Sequence, residues 1–307
     1  MANTSVLAAT LGGYLRARRA LVPPADAGLP ATGRRRVPGL RREEVAELAG
    51  LSTDYYVRLE QGRADRPSAE VLDALGRALR LGPAERAHLH DLARPPRRAP
   101  AAAAGRAGAL RPALRQVVEA VPATPAVIMN DRTDVLAWNP LAAALIADFP
   151  GLAPRERNMA RRILLDPGAR EIHLDWDEAA RTTVGILRMA AGRHPHDLEL
   201  VRLVGELSLG SETFRTLWAG HHVHEKTHGP KRFRHPIAGD LTLDYETFQV
   251  PGAAHHLLVI YTAPPGSPAE EALAFLGGHI AAGAGAPART RARPEAAARA
   301  DAEGRQT

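Results

Sequence analysis

The chain has 307 residues, 45% of them hydrophobic, and a net charge of +6, a composition that fits a globular protein of two domains. It contains no cysteine, which excludes disulfides, thiolate metal sites and cysteine nucleophiles. No run approaches the roughly 18 apolar residues of a membrane span, and MANTSVLAATLGGYLRARRA lacks the basic-then-apolar order of a secretory signal, so a cytoplasmic protein with no membrane partner is expected.

The charge is unevenly spread. Residues 1–110 hold 18 Arg against 11 Asp and Glu, a balance of +7, while the remainder holds 22 Lys and Arg against 23 Asp and Glu, a balance of −1. A basic N-terminal half is the electrostatic footprint of phosphate binding. All three tryptophans lie in the other half.

In chain order, Leu7, Leu11, Tyr14 and Leu15, followed by Arg16, Arg18 and Arg19, predict an amphipathic first helix ending on a basic turn. Residues 22–38 are too rich in Pro and Gly for regular structure. This loop carries Arg34, Arg35 and Arg36, read as an arm on DNA phosphates or in the minor groove in preference to a solvated charge run.

The stretch from Arg41 to Gly62, RREEVAELAGLSTDYYVRLEQG, organises this half. Val45, Leu48 and Ala49 form an apolar helical face, with the small Ala46 where two helices cross closely. Gly50 ends that helix in the left-handed conformation, Leu51 plugs the turn, and Ser52 caps a second helix with Tyr56 and Leu59 inward. These spacings suit a helix-turn-helix whose second helix enters a DNA major groove, where an ordinary helical hairpin is the plainer alternative. On the outer side, Arg58 suits guanine, Asp54 suits cytosine or simply offsets the helix dipole, and Thr53 suits a thymine methyl or a phosphate. Tyr55 shares that side, and Arg42 at the first helix start suits a phosphate. Ser68 then caps a helix bearing Val71, Leu72, Leu75 and Leu79, and Pro83 opens another with Leu89 and Leu92 inward, making five helices within residues 6–94.

GLRREEVAELAGLSTDYYVRLEQGR with PSAEVLDALGRALRL resembles the helix-turn-helix of the XRE (Cro/C1-type) regulators, and RRRVPGLRREEVA is similar to the MmyB-like branch. The resemblance implies that Glu60 is a structural partner for an arginine of the same unit.

Residues 95–110 are low-complexity Pro, Ala, Gly and Arg and read as a linker. In the second domain, AVIMN (126–130), DRTD and VLAW (135–138) predict strand, turn, strand, and Asn139-Pro140 caps a helix, which is how a PAS-type sensor domain begins. Residues 154–218 read as helical, including Trp176 to Met189 and Leu198 to Leu207. LTLDYETF and HHLLVIYTA alternate as strands after His235-Pro236, Ser267-Pro268 starts a last helix through Phe275, and the chain from Ala281 is expected to be disordered. VLAWNPLAAAL, Arg157-Asn158, HLDWDEAAR, AGRHPHDLEL, FRTLWAGHHVHEKTHGPKRFRHPIAGDLTLDYE and LVIYTAPPGS resemble the ligand-binding domain of the MmyB-like regulators, so that the two resemblances cover about 7–279.

The expected fold is therefore an all-α XRE-type domain (6–94), a linker (95–110), a PAS-like α/β (α+β) ligand-binding domain (111–279) and a tail (280–307). Trp138, Phe214, Trp218, Tyr245 and Tyr261 belong to a core or to the walls of an apolar cavity, with Asn139, Asn158 and His221 as candidates for its polar rim. The resemblance implies a hydrophobic, fatty-acid-like effector as the only bound molecule. His221, His222, His224, His228 and His235 fall within fifteen residues but without an HExxH signature, and no metal is expected there. His194-Pro195-His196-Asp197 lacks the further His and Asp of a metal phosphohydrolase, and no Gly-rich phosphate loop, GxSxG or Ser-x-x-Lys occurs, so no enzyme is expected. The reading is a homodimeric regulator of double-stranded operator DNA, gated by a small molecule. The alternatives are a second domain that only dimerises or recruits a protein, a fused enzyme, or a nucleoid-type binder.

Overall fold

The computed structural model describes residues 10–29, 37–64, 66–94, 110–225, 227–253 and 255–284. Leu7, the Arg34–Arg36 triplet, nearly all of the linker expected at 95–110, and the tail from 285 lie outside the described residues.

The N-terminal half is helical: α1 (Leu11–Leu21), a 3-10 turn (Pro24–Ala27) within the expected loop, α2 (Arg42–Ala49), α3 (Thr53–Glu60), α4 (Ala69–Ala78) and α5 (Pro83–Ala93). Short polar residues start these helices by accepting from first-turn amides, Ser52 from Tyr55 at 3.2 Å and Ser68 from Val71 at 3.4 Å. Gly50 takes φ 66° between α2 and α3, as the turn demands, and the Leu51 amide donates back to the Ala46 carbonyl at 2.8 Å. Tyr14, Leu15, Leu40, Val45, Tyr56, Leu75, Leu79 and Leu89 form the core. Leu48, expected on the inner face of α2, is instead 38% exposed, and the buried face of the helix is made by Val45, Ala46 and Ala49. A Cβ on Gly12 would lie 2.2 Å from the Glu60 carbonyl oxygen, so only glycine allows α1 so close to the end of α3.

One buried charge ties this unit together. The Glu60 carboxylate, fully buried, accepts from Arg19 Nε at 2.7 Å and Arg42 Nε at 2.8 Å, and Arg19 Nη1 also donates to the Leu40 carbonyl at 2.8 Å. Burial alone would raise the Glu60 pKa, but the hydrogen bonds from Arg19 and Arg42 hold it below the usual carboxylate range.

The second half is built on five antiparallel strands, β1 (Ala126–Asn130), β2 (Val135–Trp138), β3 (His228–His235), β4 (Gly239–Gln249) and β5 (His256–Thr262), in the order β2-β1-β5-β4-β3. The strands β1, β2, β4 and β5 were expected; β3 was not, because HGPKRFRH contains Gly229 and Pro230 and buries only Phe233 and His235. Leu241, Leu243 and Tyr245 of β4 alternate inward with Val127, Met129, Val259 and Tyr261 against α7 (Pro140–Ile146) and α13 (Pro268–Ala284). Helix α13 runs past Phe275 into the stretch expected to be disordered, with Leu273 and Leu276 packed on the sheet. On the other face, α6 (Pro112–Glu119) covers Ala126, Ile128 and Ala137 with Val118.

A helical layer stands beside the sheet: α8 (Met159–Leu165), α9 (Ala169–Ile172), α10 (Trp176–Arg193), α11 (Leu198–Gly210) and α12 (Glu212–Ala219), with Ile163, Trp176, Val184, Leu187, Leu203, Leu207 and Phe214 between them. The Trp176 indole donates to the Ile163 carbonyl at 2.8 Å, which satisfies its one polar atom.

The two halves touch through α5 and α10. His88 of α5 is fully buried against Gly192, where a Cβ would lie 2.7 Å from its ring, and Tyr14 meets it edge-on at 5.0 Å. Arg188 is also buried, its guanidinium stacked 4.1 Å from the Trp218 ring and donating to the Trp218 carbonyl. Arg193 pairs with Asp91 at 3.3 Å, and Val223 packs on the N-terminal core. Burial, with the charges of Arg188, Arg193 and His221, pushes the His88 pKa down to about 3.

Replacing Glu60 leaves the largely buried Arg19 without its carboxylate while the half-exposed Arg42 turns to water, so Glu60→Ala is expected to cost about 3 kcal/mol of stability, the lower end for a broken buried pair, and a urea titration that loses less than about 1 kcal/mol would show that solvent already screens the cluster. His88 has its pKa lowered by folding. Its contribution is therefore complete above its ordinary value of 6.5 and is lost as pH falls from there toward about 3. Melting temperature should decline between pH 7 and pH 5, and His88→Leu should flatten the decline; an unchanged slope in that variant would assign the acid sensitivity to other groups.

Candidate functional site

Helix α3 presents Thr53, Asp54 and Arg58 to solvent, with Tyr55 half-buried at the base of the same surface. Asp54 and Arg58 are one turn apart and project together. The Arg58 guanidinium lies 5.8 Å from the Tyr55 ring centre, within range of a cation–π contact. Arg42 is more constrained than a free phosphate contact, since its Nε is committed to Glu60 while the side chain stays 47% exposed. Glu60 is thus partnered by two arginines where the sequence pattern implied one. Gln61, Arg63 and Arg66 are also exposed just beyond α3 and extend the polar and basic surface. In the sequence Arg63 and Arg66 read only as part of the turn after Gly62.

Cavities open among the described residues of the second domain. The first, about 110 Å³, is walled by Ile186, Met189, Ala190 and Arg193 of α10, by Thr247, Gln249 and Leu257 of the sheet, and by Asp131, His224, Glu225 and Thr227. The second, about 230 Å³, is a more polar groove along Leu164, Asp166, Arg170, Trp176, Ser211 and Glu212.

Among the described residues, none of the six expected at the effector site lines either cavity. Asn139 is fully buried and spends its amide on structure: Oδ1 accepts from the Ala142 amide at 2.9 Å and the Ala126 amide at 3.2 Å, and Nδ2 donates to the Val121 and Thr124 carbonyls. It caps α7 and latches α6 to β1. Asn158 does the same for α8, accepting from the Arg161 amide at 3.0 Å and donating to the Arg132 carbonyl and Asp134 Oδ1, both at 2.8 Å. Neither has a group left for a pocket rim. Trp138 sits between Phe149, at 5.2 Å, and the Arg157 guanidinium, at 5.0 Å. Phe214 is core and stacks on Trp218 at 5.2 Å. His221 lies 3.3 Å from Arg188 Nη1 at the junction, and burial followed by the Arg188 charge lowers its pKa to about 4.

The histidine-rich stretch does not converge. His222 and His228 are exposed, while His235 is buried at the β3 end, where Nδ1 accepts from the Ile237 and Ala238 amides and Nε2 faces the Ala144 carbonyl at 2.9 Å.

The geometry therefore joins a solvent-facing second helix of a helix-turn-helix to an α/β domain with a cavity, through a packed junction. A family model described as the MmyB-like transcription regulator ligand binding domain matches residues 110–276, and a helix-turn-helix domain model matches residues 9–89. No curated protein matches the chain. No described helix is long and apolar enough to cross a membrane. With both halves matched in this order, the chain belongs to the MmyB-like helix-turn-helix transcription regulators, pairing a DNA-binding domain with a ligand-binding domain.

Proposed function

We propose that this ligand-responsive regulator binds a specific operator as a homodimer through α3 and senses a fatty-acid-like small molecule in the cavity beside α10. One observation carries the reading: Arg193 both lines that cavity and pairs with Asp91 of the DNA-binding half at 3.3 Å. An acid head group entering the cavity competes with Asp91 for the same guanidinium. The methylenes next to it would meet Ile186, Met189, Ala190 and Leu257. At about 110 Å³ the cavity is smaller than the roughly 300–1,000 Å³ of most small-molecule sites. A longer chain would enter by displacing α10, and occupancy would thereby be converted into movement at the junction. A ligand acts only through differential affinity for two arrangements, and a contested ion pair supplies one. The strand order β2-β1-β5-β4-β3 supports a PAS-like description of the domain.

A second reading, in which the domain serves only to pair with another copy or a protein, is favoured by Leu198 and Leu209, which are 67% and 88% exposed on α11.

Arg58→Ala is expected to weaken operator binding by about 1–3 kcal/mol and binding to random DNA by less, measured by fluorescence anisotropy at fixed salt; equal losses on both would assign Arg58 to phosphate. The tryptophans Trp138, Trp176 and Trp218 all report from the second domain. Titration with medium- and long-chain fatty acids should change their emission saturably and alter operator affinity, and Arg193→Ala should retain part of the binding but lose the coupling. Saturable emission with unaltered DNA affinity would make the lipid structural, and no binding would favour the second reading.

A further inference from the structure

The β1–β2 turn, the end of α10 and the start of β5 bring three side chains together. Asn130 pairs with His256 across β1 and β5, so the residues just outside that pair, Asp131 and His255, are neighbours by register. His194 follows the last residue of α10. One carboxylate oxygen, Asp131 Oδ2, lies 2.9 Å from His194 Nε2 and 3.3 Å from His255 Nδ1. The three donor atoms all lie within 4.8 Å of one another, and the two imidazoles meet edge-on at 4.5 Å.

These separations match the edges of a metal coordination sphere. Metal–nitrogen and metal–oxygen bonds of about 2.0–2.1 Å at tetrahedral angles put neighbouring ligand atoms about 3.3 Å apart. The His255–Asp131 edge, at 3.3 Å, already has that length, the His194–Asp131 edge, at 2.9 Å, is a little shorter, and the two histidine nitrogens lie within 4.8 Å of each other. The set is also the right chemistry: two imidazoles and a carboxylate, with no thiolate anywhere in the chain, suit zinc, cobalt, nickel or ferrous iron and disfavour cuprous copper.

The surroundings hold the ligands in place. Asp131 is 8% exposed. Asn130 Oδ1 accepts from the Arg132 and Asp134 amides at 3.0 and 2.9 Å, which shapes the turn around Asp131. Arg132 in turn donates to Asp134 and to Asp197, at 3.1 and 2.7 Å, and the latter bond ties the turn to the segment that carries His194. Asp131 Oδ2 faces one ring nitrogen of each histidine, and a bound ion would take the place of the protons shared between them. Three protein ligands leave a fourth position for water or for an anion, and Asp131 borders the 110 Å³ cavity.

We propose that Asp131, His194 and His255 form a binding site for one divalent transition-metal ion of the zinc class. The site does not depend on the cavity taking a fatty-acid-like molecule. A metal here would fasten the end of α10, one residue from Arg193, to the sheet.

The test uses the full-length chain without an affinity tag, stripped with a chelator and titrated with Co²⁺ and Zn²⁺. One Co²⁺ per chain with visible ligand-field bands, displaced by Zn²⁺, is expected. Weakening even the groups that support metal ligands costs about 10–100-fold in affinity, so His194→Gln and His255→Gln should each lose at least about tenfold, while His222→Gln in the histidine-rich stretch should not. Far-UV circular dichroism of the metal-free variants checks that they fold. Should they not fold, zinc-edge X-ray absorption of the unaltered protein reads the ligands directly, and two imidazoles with a carboxylate oxygen are expected. No stoichiometric ion, an ion indifferent to His194 and His255, or a shell of three or more imidazoles would overturn the assignment.

Discussion

Helix α10 has little solvent-facing surface, and this constraint governs how the two halves relate. Of its 18 residues, 12 are buried, among them Arg188 and three residues of the sequence Ala190-Ala191-Gly192. A helix covered on nearly every side has to find partners in several directions. Toward its own domain α10 meets the other helices of the layer, and toward the cavity it offers Ile186, Met189 and Ala190. Toward the N-terminal half it offers Gly192, whose lack of a side chain admits His88. No direction can change without disturbing the others, since packed interiors do not deform continuously.

Arg188 illustrates how such a junction tolerates a charge. Its guanidinium is stacked on Trp218 and bonded to a carbonyl, but its Nε meets no partner and burial lowers its pKa to about 10. His88 beside it stays neutral, since protonation would add a second buried cation. Among the described residues, the contact between the two halves combines this packing with the Arg193–Asp91 ion pair, and Arg193 also borders the cavity. An interface of that kind can be biased by a small molecule, because a single displaced pairing changes its balance.

The DNA-binding half works in the opposite way. Glu60 is fixed by two arginines from two other segments, and Gly12 lets α1 lie directly against the end of α3. The helix that carries Thr53, Asp54 and Arg58 is thus anchored at its far end, and its exposed side chains are held on a rigid support. The DNA-binding half thus supports its exposed helix, and the packed junction joins that half to the cavity through Arg193.

Much of this was legible in the residues themselves. Gly50, Leu51 and Ser52 act locally, through backbone conformation and capping, so the turn between α2 and α3 could be read without any tertiary information. The same holds for Asn139 as a helix cap, for the alternation of β2 and β4, and for the short apolar run of β1, which is covered on both faces. What the sequence could not reveal depends on distant segments meeting. Asn139 and Asn158 looked like rim groups, because a polar side chain in an apolar stretch does not disclose that its bonds are already spent on carbonyls elsewhere. β3 was hidden because a strand with Gly229 and Pro230 gains its order from pairing with β4 and has little pattern of its own. The histidines most conspicuous in the sequence, from His221 to His235, scatter in space, while Asp131, His194 and His255, separated by more than a hundred residues end to end, converge. Local conformation is written in neighbouring residues; the meeting of three side chains is decided by strand register and helix packing, and those exist only once the chain has folded.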